Sequence, residues 1–246
     1  MPVFRLTRTL AFPPPGLADP DGLLAVGGDL TPDRLLLAYQ QGIFPWYGPG
    51  DPILWWSPDP RFVLLPEAVH IPRRLARTLR QGRFTLTIDT AFAQVIAACA
   101  TVPRPGQPGT WIVPAMAAAY NELFRLGFAH SVEAWQDDTL AGGLYGVSLG
   151  RAFFGESMFH HVADASSAAL VFLCQQLTAW GFDLLDCQVA TGHLSRLGAR
   201  PMPRPEFLAR LAKSIAAPTR PGPWTAPAGA SPPGSPPGSP SRHPDV

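Results

Sequence analysis

Two polar side chains interrupt an apolar segment near residue 186. The stretch FDLLDCQVA, residues 182–190, has the composition of an interior strand except at Asp186 and Gln188. Because side chains alternate between the two faces of a strand, residues two apart project from the same face. The segment therefore predicts a carboxylate and an amide side by side at the edge of a core. Such a pair can aim a nucleophile and stabilise the charge that develops on it.

A second acidic residue lies in the apolar segment GESMF, residues 155–159. Gly155 predicts a β-bulge or a close backbone approach, and Glu156 is too costly to bury without a partner. A structural salt bridge is one explanation, with Arg151 as the nearby cation. A functional site is the other, because local sequence rules tend to be broken where function requires it.

Metal and cofactor motifs are absent from the sequence. The pair His160–His161 has no second cluster at ligand spacing, so it does not predict a metal site. The chain contains neither of the common glycine-rich nucleotide-binding patterns, and it also lacks the pyrophosphate-binding pattern of acetyl-CoA-dependent N-acetyltransferases. We therefore predict no metal and no nucleotide cofactor.

The segment IPRRLARTLRQGR, residues 71–83, predicts an amphipathic helix. Its apolar positions fall on one side, and the other side carries a narrow stripe of arginines, Arg73, Arg77 and Arg80. Residues 72–104 hold six arginines against a single acid, Asp89. An ordinary solvated face is one interpretation, but solvated faces usually mix both signs of charge. The stripe favours binding of an anionic polymer through its phosphates.

Four tryptophans lie in loop-like segments rich in proline and glycine. Trp55 and Trp56, in LWWSPDP, are expected to fill the core of a small domain. For Trp46 and Trp111 two interpretations stay open. Each either plugs a core or stacks on a nucleobase.

The elements that must position these residues predict an α+β fold. Residues 1–60 form a small N-terminal domain with one helix, capped by Thr31 and ending at Gly42, in otherwise irregular chain. Residues 61–212 form a second domain whose helices cover a mostly antiparallel sheet. Its helices are expected near 71–82, 89–100, 114–127, 165–180 and 205–214, with strands at 61–66, 129–136, 139–150, 151–161 and 182–189. Asp164 is the expected cap of the strongly apolar fourth of these helices.

The C-terminal segment and the composition limit the cellular setting. Ten of the thirty prolines lie between residues 218 and 246, so residues 213–246 are predicted to be a disordered proline-rich tail. The hydrophobic fraction of 46% is sufficient for a core, and three scattered cysteines predict no disulfide framework. No apolar run approaches the length of a membrane span. We expect a cytoplasmic protein without a membrane partner.

Seven motifs in order resemble the leucyl/phenylalanyl-tRNA–protein transferase family, from about residue 3 to about residue 211. They are DGLLAVGGDLTPDRLLLAYQQGIFPWY, PILWWSPDPR, GTWI, AHSVEAW, GGLYGV, FFGESMF and DCQV followed by HLSRLGA. The resemblance implies an N-acetyltransferase-like (GNAT-like) catalytic domain. It also implies transfer of Leu or Phe, and with them Met as a further candidate, from aminoacyl-tRNA to an N-terminal Arg or Lys of a protein. The product would enter the N-degron degradation pathway.

The resemblance also implies roles for individual residues. Asp186 and Gln188 match the family's catalytic pair, and Glu156 matches a substrate-contacting carboxylate in the same pocket. Trp46 and Trp111 match the tryptophans that hold the 3′-terminal adenosine, and the arginine stripe matches the basic helix that takes the tRNA acceptor stem. The positions that line the family's amino-acid pocket are Phe153, Met158, Leu170, Leu173, Leu177 and Leu185.

The chemistry expected of such a site needs no ATP or metal, because the ester of an aminoacyl-tRNA is already activated. At pH 7 roughly a tenth to a fifth of an α-amine of pKa about 7.7–8.0 is neutral. Positioning of two bound reactants is worth about 7–11 kcal/mol, so orientation should dominate over proton removal. We therefore predict that Gln188 aims the amine and that Asp186 orients the Gln188 amide.

Two rival functions remain at this stage. An N-acyltransferase that uses acyl-CoA is disfavoured by the missing pyrophosphate loop. A non-catalytic tRNA-binding protein would keep the arginine helix and the tryptophans, but it would have no use for acids in its cleft.

Overall fold

A computed structural model describes residues 3–102 and 110–225, and these residues form two β-sheets with helices packed against them. The predicted α+β class is confirmed. The helices are α1 (Pro32–Gln40), α2 (Arg73–Arg80), α3 (Phe92–Thr101), α4 (Pro114–Arg125), α5 (Ala165–Ala179), α6 (Gly192–Arg196) and α7 (Arg204–Ile215). The strands are β1 (Phe4–Leu6), β2 (Leu23–Gly27), β3 (Phe44–Pro45), β4 (Leu54–Trp56), β5 (Arg61–Leu64), β6 (Thr85–Ile88), β7 (Ala129–Gln136), β8 (Thr139–Leu149), β9 (Ala152–His160), β10 (Leu184–Asp186) and β11 (Arg200–Met202).

The N-terminal residues contain a sheet that the sequence did not predict. Its four strands lie in the order β1-β2-β4-β3, so the prediction of irregular chain around α1 is wrong. These strands are two to five residues long, which is too short for an alternating pattern to show. Trp55 is buried as predicted, and its indole N–H donates to the Gly27 carbonyl at 2.8 Å.

The large sheet has seven strands in the order β11-β5-β10-β9-β8-β7-β6. Every neighbouring pair is antiparallel except β9 and β10, which are parallel. The predicted mostly antiparallel sheet is therefore confirmed, whereas the short strands β6 and β11 were not predicted. The sheet separates two apolar cores. One lies towards α1, α3, α4 and α7, and the other lies beneath α5 and α2.

Helix α5 is buried along most of its length, because nearly all of its side chains are apolar or small. Asp164 occupies the N-cap position as predicted, but its side chain does not cap the helix. This residue has a left-handed backbone with φ 72°, and its carboxylate makes no capping bond. Instead it accepts a hydrogen bond of 2.9 Å from the Thr78 hydroxyl and joins α5 to α2.

The chain after α7 packs against the second domain as far as residue 225. Trp224 is only 2% exposed, and its ring stacks on His130 with 3.5 Å between centroids. The Trp224 backbone N–H donates to Asp89 at 2.6 Å. The prediction of disorder from residue 213 is therefore wrong for 213–225. The Trp224 side chain packs into the folded domain, and the composition of the segment does not reveal this contact. Residues 226–246 lie outside the described residues.

Candidate active site

The site lies where two parallel strands separate. The pairing of β9 with β10 ends at Phe154 and Asp186. Beyond this point the chain stays bonded to β5 on the other side, through Cys187 N–H to the Phe62 carbonyl at 2.9 Å and Phe62 N–H to the Gln188 carbonyl at 3.2 Å. The two strands therefore diverge and open a cleft between residue 156 and residue 188.

Glu156 occupies a β-bulge on one wall of this cleft. Between β8 and β9 the register changes from Gly146 opposite Gly155 to Tyr145 opposite Ser157, which leaves Glu156 without a cross-strand partner residue. The predicted bulge is confirmed. A bulge re-aims the side chain at its position, and here it turns Glu156 towards α1 and α4.

Two buried tyrosines and one amide hold the Glu156 carboxylate. Tyr39 of α1 donates to Oε1 at 2.8 Å, Tyr120 of α4 donates to Oε2 at 2.7 Å, and the Gln188 amide nitrogen donates to Oε1 at 3.1 Å. The pKa of Glu156 is raised to about 7, first by burial and also by the nearby Asp186 charge, while the three hydrogen-bond donors oppose the rise. A salt bridge between Glu156 and Arg151 was one of the two explanations that the sequence allowed. The partners of Glu156 are instead neutral hydrogen-bond donors, and Arg151 is not among them.

Asp186 lies behind the cleft and is paired with an arginine that sequence reasoning missed. It has no solvent exposure, and Arg61 donates to both of its oxygens, from Nε to Oδ1 at 2.8 Å and from Nη2 to Oδ2 at 2.7 Å. Oδ1 also accepts the backbone N–H of Gln188 at 2.9 Å. Because both oxygens are engaged and enclosed, Asp186 is a positioning residue for the backbone at Gln188.

Gln188 is not part of the strand on which it was predicted. Strand β10 ends at Asp186, and Gln188 has a left-handed backbone with φ 58°. The argument that Asp186 and Gln188 share a strand face is therefore wrong, and Asp186 does not bond the Gln188 side chain. The left-handed turn directs the amide towards Glu156, and Gln188 lines the cleft.

The cleft contains an apolar cavity of about 660 Å³. Its walls include Glu156, Gln188 and five of the six residues predicted for the amino-acid pocket: Phe153, Met158, Leu170, Leu173 and Leu185. Leu177 is the exception. It lies one helical turn beyond Leu173 on α5, fully buried in the core, and it does not line the cavity.

Trp46 and Trp111, for which the sequence allowed two interpretations, both line this cavity. Trp46 is 39% exposed and makes an edge contact with Trp56, whose indole N–H donates to the Trp46 carbonyl at 2.6 Å. Trp111 is half-buried against the core beneath α3 and α4. Trp46 thus presents an aromatic surface to solvent at the cavity, as a stacking platform requires.

The predicted basic helix is α2, and its arginine stripe is exposed. Leu75 and Leu79 are buried on the opposite side, as predicted. Arg73, Arg77 and Arg80 are exposed and make no ion pair with any residue in 3–102 or 110–225. Arg104, which also contributed to the predicted basic segment, lies outside the described residues.

In residues 3–102 and 110–225, no group of three or more His, Cys, Asp or Glu side chains could hold a metal ion. His160 is exposed at the edge of the cavity. Within those ranges, no helix has the length and apolarity needed to cross a membrane.

The sequence did not reveal three side chains that hold the carboxylates of the site: Tyr39, Tyr120 and Arg61. Neither tyrosine stands out in the sequence, because each lies within a helix, Tyr39 in α1 and Tyr120 in α4. They reach Glu156 across 117 and 36 positions of the chain, and Arg61 reaches Asp186 across 125. Arg61 alone carried a signal, because it begins the apolar segment RFVL, which forms the fully buried strand β5. A buried arginine needs a buried partner of opposite charge.

These features together define an enzyme cleft with an apolar compartment and a titratable carboxylate at its wall. The family model for leucyl/phenylalanyl-tRNA protein transferase matches residues 63–212, and the model for the N-terminal domain of that transferase matches residues 28–59. The chain belongs to the leucyl/phenylalanyl-tRNA–protein transferase family, an aminoacyltransferase family that uses aminoacyl-tRNA.

Curated relatives agree over nearly the whole chain. The chain is 60% identical over 234 residues to the leucyl/phenylalanyl-tRNA–protein transferase of Anaeromyxobacter sp. (strain Fw109-5), covering 95% of this chain and 100% of that one. It is 61% identical over 216 residues to the one of Nitratidesulfovibrio vulgaris (strain DP4), covering 88% and 92%. Among solved structures, a GCN5-related N-acetyltransferase from Kribbella flavida shows a likeness of fold alone, with a TM-score of 0.36, 14% identity and coverage of 69% of this chain and 60% of that one.

Proposed function

We propose that the enzyme transfers the Leu or Phe residue of an aminoacyl-tRNA, and Met as a further donor, to the α-amino group of an N-terminal Arg or Lys of a protein. The modified protein would enter the N-degron degradation pathway. The observation that carries this proposal is an apolar cavity whose lining includes Gln188 and Glu156, which are joined by a hydrogen bond of 3.1 Å. The cavity can hold an apolar aminoacyl side chain while the two polar groups meet the attacking amine.

The acyl donor is held at two places. Its side chain enters the compartment formed by Phe153, Met158, Leu170, Leu173 and Leu185, and its terminal adenosine stacks at Trp46 and Trp111. An apolar pocket separates side chains by only about 1–3 kcal/mol per methylene. We therefore expect a preference for Leu, Phe and Met over the β-branched Ile and Val, without absolute exclusion.

The nucleophile is aimed by Gln188. The amide nitrogen of Gln188 donates to Glu156, so the amide oxygen is the group that accepts a hydrogen bond from the incoming amine. Asp186 contributes from behind, since its Oδ1 holds the backbone N–H of Gln188 and thereby the direction of the side chain. The predicted role of Gln188 is kept, and the predicted contact between Asp186 and the Gln188 amide is replaced by this backbone contact.

The remaining part of the donor lies against α2. The exposed stripe Arg73, Arg77 and Arg80 supplies positive charge for the phosphates of the acceptor stem. Phosphate contacts of this kind position a nucleic acid without reading its sequence.

The test is transfer to a defined peptide. The purified protein is incubated with leucyl-tRNA and a peptide that begins with Arg, and the peptide mass is measured. A gain of one leucyl residue, absent for a peptide that begins with Ala, is the expected result. No gain with leucyl-tRNA, together with acylation when acetyl-CoA is supplied, would overturn the proposal in favour of an acyl-CoA enzyme. Salt-sensitive tRNA binding without transfer would overturn it in favour of a binding protein.

A further inference from the structure

Three oxygen-bearing groups beside the cavity form a closed triangle. The hydroxyl oxygens of Tyr39 and Tyr120 are 2.6 Å apart, and each hydroxyl also lies within hydrogen-bond distance of a different oxygen of Glu156, at 2.8 Å and 2.7 Å. Each of these separations is in the range of a normal O–H···O hydrogen bond. Both tyrosines are fully buried, and burial together with the Glu156 charge raises the pKa of each well above its usual value. Each hydroxyl therefore keeps its proton.

Counting protons shows that the triangle is incomplete when Glu156 is ionised. Each tyrosine supplies one proton, and an ionised carboxylate supplies none. Two protons can satisfy only two of the three close contacts, which leaves one oxygen–oxygen pair without a hydrogen between its atoms. A protonated Glu156 supplies the third proton. The carboxyl then donates to Tyr120, Tyr120 donates to Tyr39, and Tyr39 donates to the other carboxyl oxygen.

We propose that Glu156, closed into a ring with the positioning residues Tyr39 and Tyr120, accepts the proton that the acceptor's α-ammonium group loses before it attacks the ester. This inference rests on the proposed function and assigns Glu156 a specific role in it, that of proton acceptor. The same geometry gives Glu156 a place for one additional proton. A pKa of about 7 is consistent with this role, because about half of the carboxyl groups are then ionised near neutral pH.

The proton balance of the reaction follows from this assignment. One proton passes from the ammonium nitrogen to a Glu156 oxygen, and the nitrogen lone pair forms the C–N bond at the ester carbon. The carbonyl electron pair moves onto oxygen and returns as the C–O bond to the ribose breaks. A second nitrogen proton ends on the leaving ribose oxygen, and the third stays in the new amide. Glu156 then releases its proton to water, so the transfer liberates one proton in all.

Among the groups that face Glu156 from other elements, the charge of Asp186 favours proton uptake, whereas the hydrogen-bond donors Tyr39, Tyr120 and Gln188 oppose it. Asp186 of β10 lies close enough for its charge to raise the pKa of Glu156, although Arg61 of β5 is paired with that aspartate. Tyr39 of α1 and Tyr120 of α4 complete the ring, and Tyr145 of β8 packs edge-on against Tyr120 at 5.4 Å between centroids. Gln188, which also donates to Glu156, is neutral at every pH of interest.

The test compares pH–rate profiles of single-turnover transfer for the wild type, Tyr39→Phe and Tyr120→Phe. Each substitution removes a hydroxyl that donates to the ionised carboxylate, so each raises the pKa of Glu156 and moves the acidic limb of the profile to higher pH. At a pH below both values the rate should fall about tenfold for each unit of that movement and return towards the wild-type rate at high pH. The acceptor amine is the same in every assay. A shift of the acidic limb between variants therefore reports a changed pKa in the enzyme and not in the acceptor.

Two further variants make the comparison specific. Glu156→Gln should lower the rate and leave only the titration of the acceptor amine itself. Tyr47→Phe is the matched control, since Tyr47 is a buried tyrosine that lines a different pocket and makes none of the hydrogen bonds to Glu156. Its profile should coincide with that of the wild type. Equal fractional losses at every pH for Tyr39→Phe and Tyr120→Phe would show a merely structural role and overturn the inference.

A substrate-free measurement separates this inference from the proposed function. Infrared titration of enzyme with isotope-labelled glutamate, with the Glu156→Gln spectrum subtracted, should show a carboxyl group that titrates at about 7 and at a higher pH in Tyr120→Phe. If that titration is found and the wild type transfers no aminoacyl group, the proposed function is wrong, but the proton-binding ring of Glu156, Tyr39 and Tyr120 is supported. If transfer occurs and neither the titration nor the acidic limb moves, the ring's role in catalysis is refuted.

Discussion

Arg61 holds both carboxylate oxygens of Asp186 in a fully enclosed, bidentate ion pair, with donor–acceptor distances of 2.8 Å and 2.7 Å. The Arg61 guanidinium lies between the rings of Phe44 and Phe207, each with its centroid 4.7 Å away. The pair thus links the N-terminal sheet, the large sheet and α7 at one point. Its consequence for the site is that the Asp186 carboxylate is enclosed, while its Oδ1 also accepts the backbone N–H of Gln188.

Breaking this pair should destabilise the fold. Removal of one partner from a buried ion pair leaves an uncompensated charge, so Asp186→Asn is expected to lower the free energy of unfolding by about 3–5 kcal/mol. Chemical denaturation followed by tryptophan fluorescence measures the change. Glu122→Gln is the control, because Glu122 belongs to an exposed pair with Arg125 on α4, and its midpoint should stay close to that of the wild type. Similar midpoints for both variants would contradict the structural role.

Loss of the Gln188 side chain should affect the rate more than the binding. Gln188→Ala removes the group that aims the amine, and misplacement of a reactant by about 1 Å can cost on the order of 100-fold in rate. Single-turnover transfer and equilibrium binding of aminoacyl-tRNA are measured on the same preparation. A rate within twofold of the wild type, with binding intact, would show that Gln188 does not aim the nucleophile.

Substitution of two leucines one turn apart on α5 should distinguish an effect on donor specificity from an effect on stability. Leu173 lines the cavity and Leu177 does not, although both are buried. Each Leu→Ala change should cost about 2–5 kcal/mol of stability through the space it leaves. Only Leu173→Ala should shift the preference between donors towards the larger Phe. Competition between leucyl-tRNA and phenylalanyl-tRNA measures this ratio, and an equal shift for Leu177→Ala would argue against the assigned pocket.

The exposed stripe of α2 should control the salt dependence of tRNA binding. Each arginine that contacts a phosphate contributes roughly one unit to the slope of log affinity against log salt. Replacing Arg73, Arg77 and Arg80 together by Ala should therefore flatten this slope by up to about three units. Arg125→Ala, an exposed arginine of α4 that is paired with Glu122, should leave the slope unchanged. Identical slopes for the triple variant and the wild type would remove α2 from the tRNA interface.

The segment after α7 should stabilise the second domain. The Trp224 ring packs against His130, Trp180 and Phe182, and it lies 6.0 Å from the ring of the cavity residue Phe153. Trp224→Ala should lower the free energy of unfolding by about 3–5 kcal/mol, as is typical of a buried aromatic residue. Deletion of residues 226–246 is the comparison and should leave thermal unfolding unchanged. Equal effects of the two changes would contradict the docking of this segment.

Much of the architecture was predictable because the signals that determine it are local. The apolar faces of α2 and α5, the long strands β7 to β9 and the bulge at Gly155–Glu156 all follow from periodicity or from a single residue type within a short window. The chemical character of the site was also visible, since carboxylates and an amide in apolar strands stand out against their surroundings. The short strands of the N-terminal sheet were missed because two to five residues carry no period.

The sequence by itself therefore determined the longer helices and strands, the α+β class and the identity of Glu156, Asp186 and Gln188 as unusual residues. Only the tertiary structure decided what holds them. Arg61 and Asp186 are 125 positions apart in the sequence, and Tyr39 and Glu156 are 117 apart. No local sequence pattern could therefore predict either pair. The physical reason is that a buried charge selects its partner by proximity in the folded core, where the cost of leaving it unpaired is greatest.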